Sequence, residues 1–334
     1  MPIDVHAHYV PPGVLEVLRF RGAEYGIAVA PGGSPVCPSL SFESGLRLRP
    51  FVPRLMEEEA ARIESFLAAG VDRQVLSVWS DLMGYGLAPA KGEAWHRLMN
   101  DCLARVCSRH PTRFSFLASA PLQDPGTAAR EATRAVRELG AVGLLVAANV
   151  LGVNLGEVPL DEFWSAVSQL GVPVFIHPTE PVPPPRTRRW TLTQVVQFTY
   201  DTTLALSSLI FSGTLDRFPA LQFILPHGGG LLPYLSGRLD HMHGRMDRAA
   251  EGDLARQAPS AYFPRCYFDT LLHQPHVLRF LIDSVGLERV VLGSDWPFPP
   301  GTDTPLAVLH AAGLPSSQLE AIVDHNPRRM FKLA

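Results

Sequence analysis

Histidines 6 and 8 stand one residue apart in the apolar segment IDVHAHYV (3–10). On an extended strand, side chains two apart share a face, so both imidazoles can meet one ion. An arbitrary HxH pair is as readily two satisfied core histidines. Three further residues favour a metal. His177, His227 and Asp295 each stand at the end of an apolar run. Three histidine nitrogens and one carboxylate oxygen suit zinc or a similar divalent ion and leave a position for water. Such an ion lowers the pKa of its water toward neutrality.

These residues need a fold that gathers strand ends. Eight short, nearly continuous apolar runs alternate with segments of helical period: residues 3–10, 73–79, 113–122, 141–150, 172–179, 221–227, 266–272 and 289–296. Helices are expected at 55–69 and 126–138, among others. Unbroken apolar strands alternating with helices describe a parallel sheet covered on both faces. Eight such units point to an α/β protein of the (β/α)8 TIM-barrel type, with His177 ending the fifth strand, His227 the sixth and Asp295 the eighth. The C-terminal strand ends of such a barrel meet at one face, where active sites are built. An open doubly wound sheet is the alternative, but the GxGxxG expected after its first strand is missing.

The whole chain, 1–334, reads as one barrel domain. Residues 11–54, rich in proline, glycine and serine, form an insertion after the first strand, long enough to act as a lid. Residues 178–189, PTEPVPPPRTRR, read as a stiff extended segment followed by a basic cluster.

The ordered set of HxH, His177, HGGG (227–230) and GSDWPFP (293–299) resembles the amidohydrolase superfamily, and within it the branch of aminocarboxymuconate-semialdehyde decarboxylase and related decarboxylases. MNDCLARV (99–106), PLQD (121–124), SSLIFSGTLDRFP (207–219) and NPRRMF (326–331) extend the likeness over almost the whole chain. The resemblance implies a metal held by His6, His8, His177 and Asp295, with His227 as a nearby base acting on water. From the residues alone, His227 is equally open to being a fifth ligand. Glycines 228–230 let the backbone turn close to the site, a phosphate cradle being the rival reading. Two-metal members of the superfamily bridge their ions with a carboxylated lysine at the end of the fourth strand. This chain has only Lys91 and Lys332, neither at such a position. One ion is therefore expected, zinc first and manganese as the alternative.

A decarboxylase must also hold carboxylates, for which the arginine fork is well shaped. By the same resemblance, Arg49 grips a substrate carboxylate and Arg238 reaches across a homodimer interface. Tyr85, Trp190, Trp296 and Phe298 are candidates to line the pocket, with core packing as the plain alternative. Thr179 stands where the aminocarboxymuconate enzyme has a tryptophan, which leaves the substrate open. The activity implied is metal-dependent, non-oxidative decarboxylation of an unsaturated or aromatic carboxylic acid, with His227 and Asp295 moving protons. A lactonase-type hydrolase or a hydratase would use the same metal and water, and a barrel that only binds ligands is the non-enzymatic alternative.

Composition narrows the partners. A net charge of −3, from 29 basic and 32 acidic residues, offers no basic excess for nucleic acid or an anionic membrane. Charged residues are 18% and apolar residues 46%, which suits a large folded core. Cys37, Cys102, Cys107 and Cys266 lack CxxC or zinc-ribbon spacing, so reduced thiols in a cytoplasm are expected. The N-terminal stretch does not read as a signal peptide, and no apolar run approaches the ~20 residues of a membrane span. A nucleophile elbow GxSxG is missing, and Cys102 and Cys107 sit at helical core positions.

Overall fold

Apolar residues fill most positions of the expected strands, and a strand apolar on both faces must be covered on both. The computed structural model describes residues 1–30, 37–180, 186–247, 250, 252 and 254–333, and meets this demand with a barrel of eight strands. These are β1 (Ile3–His8), β2 (Arg73–Ser77), β3 (Phe114–Ser119) and β4 (Gly143–Ala147). They continue as β5 (Val174–His177), β6 (Phe223–Leu225), β7 (Cys266–Asp269) and β8 (Val290–Val291). Each strand pairs in parallel with the next, as in the register Val146 with Ile176 and Ala147 with His177.

The barrel closes between its last and first segments. The Val5 amide donates to the Leu292 carbonyl at 2.9 Å, the Asp295 amide to His6 at 2.8 Å and the His8 amide to Trp296 at 2.6 Å. The bonds that close the fold are thus also the bonds that align the first and last candidate ligands. All eight strands fall inside the expected segments. The eighth ladder is far shorter than 289–296, because beyond Leu292 the chain leaves sheet geometry. Asp295 adopts a left-handed φ of 56°, and the Trp296–Pro297 peptide bond is cis.

Helices cover the outside. Helix α1 (Pro12–Tyr25) lies in the insertion and α2 (Glu59–Ala68) leads into β2. Next come α3 (Pro89–Arg109), α4 (Pro125–Arg137) and α5 (Asp161–Leu170), followed by α6 (Phe198–Phe211), α7 (Leu232–His243) and α8 (Pro275–Val285). The expected helix 126–138 is α4, begun by Asp124, whose carboxylate accepts the Thr127 amide at 3.1 Å, a cap worth about 1 kcal/mol. The expected helix 55–69 divides into a 3-10 turn, Pro53–Met56, and α2.

The described residues of the insertion 11–54 include a helix and a hairpin. Proline at the first helical position starts α1 without losing a backbone bond. Val14, Leu15, Leu18, Gly22 and Tyr25 then bury one helical face. At Gly22 a Cβ would lie 2.2 Å from the Ile27 carbonyl oxygen, so only glycine lets the hairpin Ile27–Val29/Leu40–Phe42 fold back on the helix. Residues 31–36 of this insertion and 181–185 of the proline-rich segment lie outside the described residues. Among the described residues, no helix is long and apolar enough to cross a membrane.

Candidate metal centre

β1 runs into the barrel with every residue buried, so the alternation of its side chains sends His6 and His8 inward together. Their Nε2 atoms lie 3.2 Å apart. Asp295 Oδ1 is 3.3 Å from His6 Nε2 and 3.2 Å from His8 Nε2. His177, at the end of β5, completes the set. Coordinating atoms from these four buried residues all lie within 4.8 Å of one another. The His6, His8 and His177 rings meet edge to face, and Phe175 packs against His6 and His177.

What the donor set fits can be read from its hydrogen bonds. His6 Nδ1 lies 2.7 Å from Asp269 Oδ2, His8 Nδ1 3.1 Å from the Val78 carbonyl and His177 Nδ1 2.7 Å from the Pro178 carbonyl. Each acceptor holds the proton on Nδ1, so each Nε2 presents a lone pair to the same point. His177 Nε2 and Asp295 Oδ1 are buried without a hydrogen-bond partner among the described residues. Such orphaned acceptors are costly unless a cation satisfies them.

The electrostatics agree. Burial works against a charged His6, yet the Asp295 and Asp269 carboxylates raise it to about 10, so the site favours a positive charge at Nε2, which a bound cation would supply in place of a second proton. Burial pushes His8 and His177 down, toward the neutral form that ligates metals. Asp295 stays well below the usual carboxylate range, because the surrounding histidines outweigh its burial. This buried set stabilises positive charge and offers three nitrogens and one oxygen. A divalent ion fits it.

His227 approaches the other oxygen of the same carboxylate, with Nε2 at 3.7 Å from Asp295 Oδ2, and its ring packs on His6 and His177. It opens a 3-10 turn after β6 at a left-handed φ of 55°. The two residues expected to move protons therefore both hold sparsely populated backbone conformations, a pattern that concentrates at functional sites. The following glycines do not form a phosphate cradle. Their amides are spent internally, Gly228 on Asp269 Oδ1 at 2.8 Å, Gly229 on Pro226 and Gly230 on His227. A Cβ at Gly230 would strike the Thr199 carbonyl oxygen at 2.2 Å, so close packing on α6 demands glycine there.

At the rim, the guanidinium carbon of Arg49 lies 4.9 Å from the Trp79 ring centre and 5.6 Å from that of Phe298. Phe298 meets His8 edge-on at 5.2 Å, which ties Arg49 to the ligand cluster through one ring. The other candidates stand apart. Tyr85 is buried, stacked on His96, its oxygen accepting the amide of Ala147, which ends β4 beside His177. Trp296 is buried with Nε1 on Glu57 and Arg54 over its ring. Trp190 is 75% exposed with Arg189 over its ring, and Arg238 is exposed on α7. Lys91 pairs with Glu43 and Lys332 with the Gly171 carbonyl, so neither reaches the centre. Burial pushes the Cys107 and Cys266 thiols up to about 12 and raises Cys102 as well, which removes them as nucleophiles.

Sequence reasoning missed the residues that brace the ligands. Asp269 ends β7 and holds His6 with one oxygen while the other accepts the Gly228 and Leu271 amides. An acid at a strand end was the available signal. Asp4 accepts the His6 amide and both the amide and hydroxyl of Ser294, which joins β1 to the segment before Asp295. Buried Arg62 donates to the His8 carbonyl and to Gln74, and Gln74 in turn donates to Asp4.

Comparison with known proteins places these features in a family context. The amidohydrolase family model matches residues 3–333. The chain is 32% identical over 309 residues to 2-amino-3-carboxymuconate-6-semialdehyde decarboxylase of Dictyostelium discoideum, covering 91% of this chain and 84% of that protein. It is 30% identical over 313 residues to gamma-resorcylate decarboxylase of Rhizobium sp. (strain MTP-10005), covering 88% and 93%. Among solved structures, dihydroxybenzoic acid decarboxylase from Polaromonas sp. JS666, with bound manganese and the inhibitor 2-nitroresorcinol, superposes with a TM-score of 0.80 at 25% identity, covering 99% of this chain and 97% of that one.

Proposed function

The chain belongs to the amidohydrolase family, and we propose that it is a metal-dependent, non-oxidative decarboxylase of an unsaturated or aromatic carboxylic acid. The observation that carries this reading is the buried convergence of His6, His8, His177 and Asp295, with His227 facing the same carboxylate. These four residues would hold one divalent ion, zinc by their donor chemistry and manganese as the alternative. When bound, the ion supplies the positive charge that polarises a water or substrate oxygen in a water-poor pocket.

The protein's own residues then divide the work. Decarboxylation needs a proton at the carbon that bears the carboxylate. The bond to the carboxylate carbon breaks, its electron pair returns to the unsaturated system, and carbon dioxide leaves. A proton from water passes by way of His227, 3.7 Å away, to Asp295, which delivers it to that carbon and returns to the carboxylate. The low pKa of Asp295 keeps it anionic at rest and makes it release any proton it carries. Arg49 holds a substrate carboxylate at the rim, braced by Trp79 and Phe298. Phe298 packs beside His8, and Arg49, near the end of the insertion, stands over the same ring.

The same reading makes the enzyme a homodimer in which Arg238 completes the neighbouring pocket. Tyr234, Arg238 and Met242 support it, because their spacing puts them on one face of α7 and all three are exposed. Four free cysteines support a reducing, cytoplasmic setting. The deciding test measures carbon dioxide released by the metal-loaded protein from gamma-resorcylate, 5-carboxyvanillate, 6-methylsalicylic acid and 2-amino-3-carboxymuconate-6-semialdehyde. Release from at least one is expected. Lactone hydrolysis with no carbon dioxide from any acid would make the protein a hydrolase instead.

A further inference from the structure

Glu180 lies three residues beyond the ligand His177, and its Oε2 stands 3.8 Å from Arg49 Nε. At that distance the pair attracts electrostatically without forming a hydrogen bond. Arg49 Nε is buried and has no hydrogen-bond partner among the described residues. The guanidinium is nevertheless held in place, since Trp79 and Phe298 both pack against it. An arginine fixed by rings, with its hydrogen-bonding edge unspent, is prepared for a ligand that fits the fork better than Glu180 does.

The backbone of Glu180 is equally fixed. Its amide donates to Asp81 Oδ1 at 2.7 Å, and the neighbouring Ser80 hydroxyl donates to the Pro178 carbonyl at 2.9 Å. The Glu180 side chain is 41% exposed and makes no hydrogen bond among the described residues. Only its own torsions need change for the carboxylate to leave Arg49.

We propose that Glu180 is a specificity-determining residue whose carboxylate occupies Arg49 in the free enzyme and must yield the guanidinium to a carboxylate of the substrate. This rests on the reading of Arg49 as the carboxylate-binding residue. The exchange replaces one anion by another, so the charge balance around Arg49 is kept. An acid that can present two oxygens to the fork wins the exchange. A neutral ring, such as a lactone, gains nothing at Arg49 and leaves the internal pair in place. Glu180 thereby biases the pocket toward acids.

The test uses metal-loaded holoenzyme, the acid of the panel that is decarboxylated fastest, and benzoate as a calorimetric binding probe. Glu180→Gln should lower both KM and the benzoate Kd about two- to fivefold with kcat unchanged, the scale expected for an exposed ion pair. Glu180→Ala should act in the same direction, and added salt should shrink the difference. In an Arg49→Met background the Glu180 substitutions should have no effect. Unchanged or weaker binding in Glu180→Gln, while Arg49→Met still weakens both acids, would overturn the role of Glu180 and leave that of Arg49 standing. Wild-type affinities in Arg49→Met would overturn the reading of Arg49, and this proposal with it.

Discussion

His6 Nδ1–H donates a hydrogen bond to Asp269 Oδ2 across 2.7 Å, a contact that joins the first strand of the barrel to the seventh. Burial alone would raise the Asp269 pKa, but the His6 hydrogen bond outweighs it and keeps the carboxylate charged. Because the other Asp269 oxygen accepts the Gly228 amide, Asp269→Asn must set its NH2 against either the His6 N–H or the Gly228 N–H. Metal affinity should fall about 10–100-fold. Competition with a chelating indicator measures this, and an unchanged affinity would remove Asp269 from the metal centre.

About one divalent ion per chain is expected by elemental analysis, and His177→Ala or Asp295→Ala should lose the ion and the activity together. Two ions per active chain would reject a mononuclear centre.

His227 packs against His6 and His177 but lies outside the four-residue donor set and approaches Asp295 at 3.7 Å, so His227→Asn should keep most of the metal. Turnover should drop by ~10²–10⁴-fold, the usual loss when a general acid–base group is removed. If this variant empties the site as readily as His177→Ala, the residue is a ligand.

Arg238→Ala and His177→Ala should each be inactive alone and recover some turnover when mixed. One site of the mixed dimer would then combine an intact metal centre with an intact arginine. Full activity of Arg238→Ala, or of a dilute monomer, would confine the site to a single chain.

Asp81 gives a pH-dependent stability. Burial pushes its carboxyl up to about 6, against the pull of the Glu180 amide and Arg49 and with the push of the Glu180 charge. A carboxyl raised in the folded state binds more protons there than in the unfolded chain, so its contribution to stability falls as pH rises from about 4 to 6. The shift corresponds to about 3 kcal/mol at most. Asp81→Asn can still accept the Glu180 amide but carries no charge. Its Tm relative to the wild type should therefore rise between pH 4 and pH 7, and a difference that stays flat would show that Asp81 does not titrate in this range.

The strands were legible in the sequence because hydrophobic continuity is a local property. Residues such as Val5, Leu144, Phe175 and Ile224 have to be buried whatever their neighbours, so runs of them mark the barrel. The spacing of His6 and His8 was legible for a related reason, since strand geometry alone puts them on one face. His177, His227 and Asp295 could be placed at one end of the barrel once eight strands were counted. Helix α1 was hidden by Pro11 and Pro12, whose effect depends on whether they start a helix or interrupt one.

What only the tertiary structure decided was which groups meet across the barrel. Asp269 pairs with a histidine far away in sequence, and Asp4 reaches Ser294 from the opposite end of the chain. Arg62 fixes the carbonyl of His8, while Glu180 and Arg49 come together from different loops. No local period records such pairings, because they arise from barrel closure and from the left-handed turns at His227 and Asp295. The sequence by itself determined the strands and the donor types. The closed fold decided which nitrogen of each histidine faces the ion, because that choice depends on hydrogen-bond partners supplied by other parts of the chain.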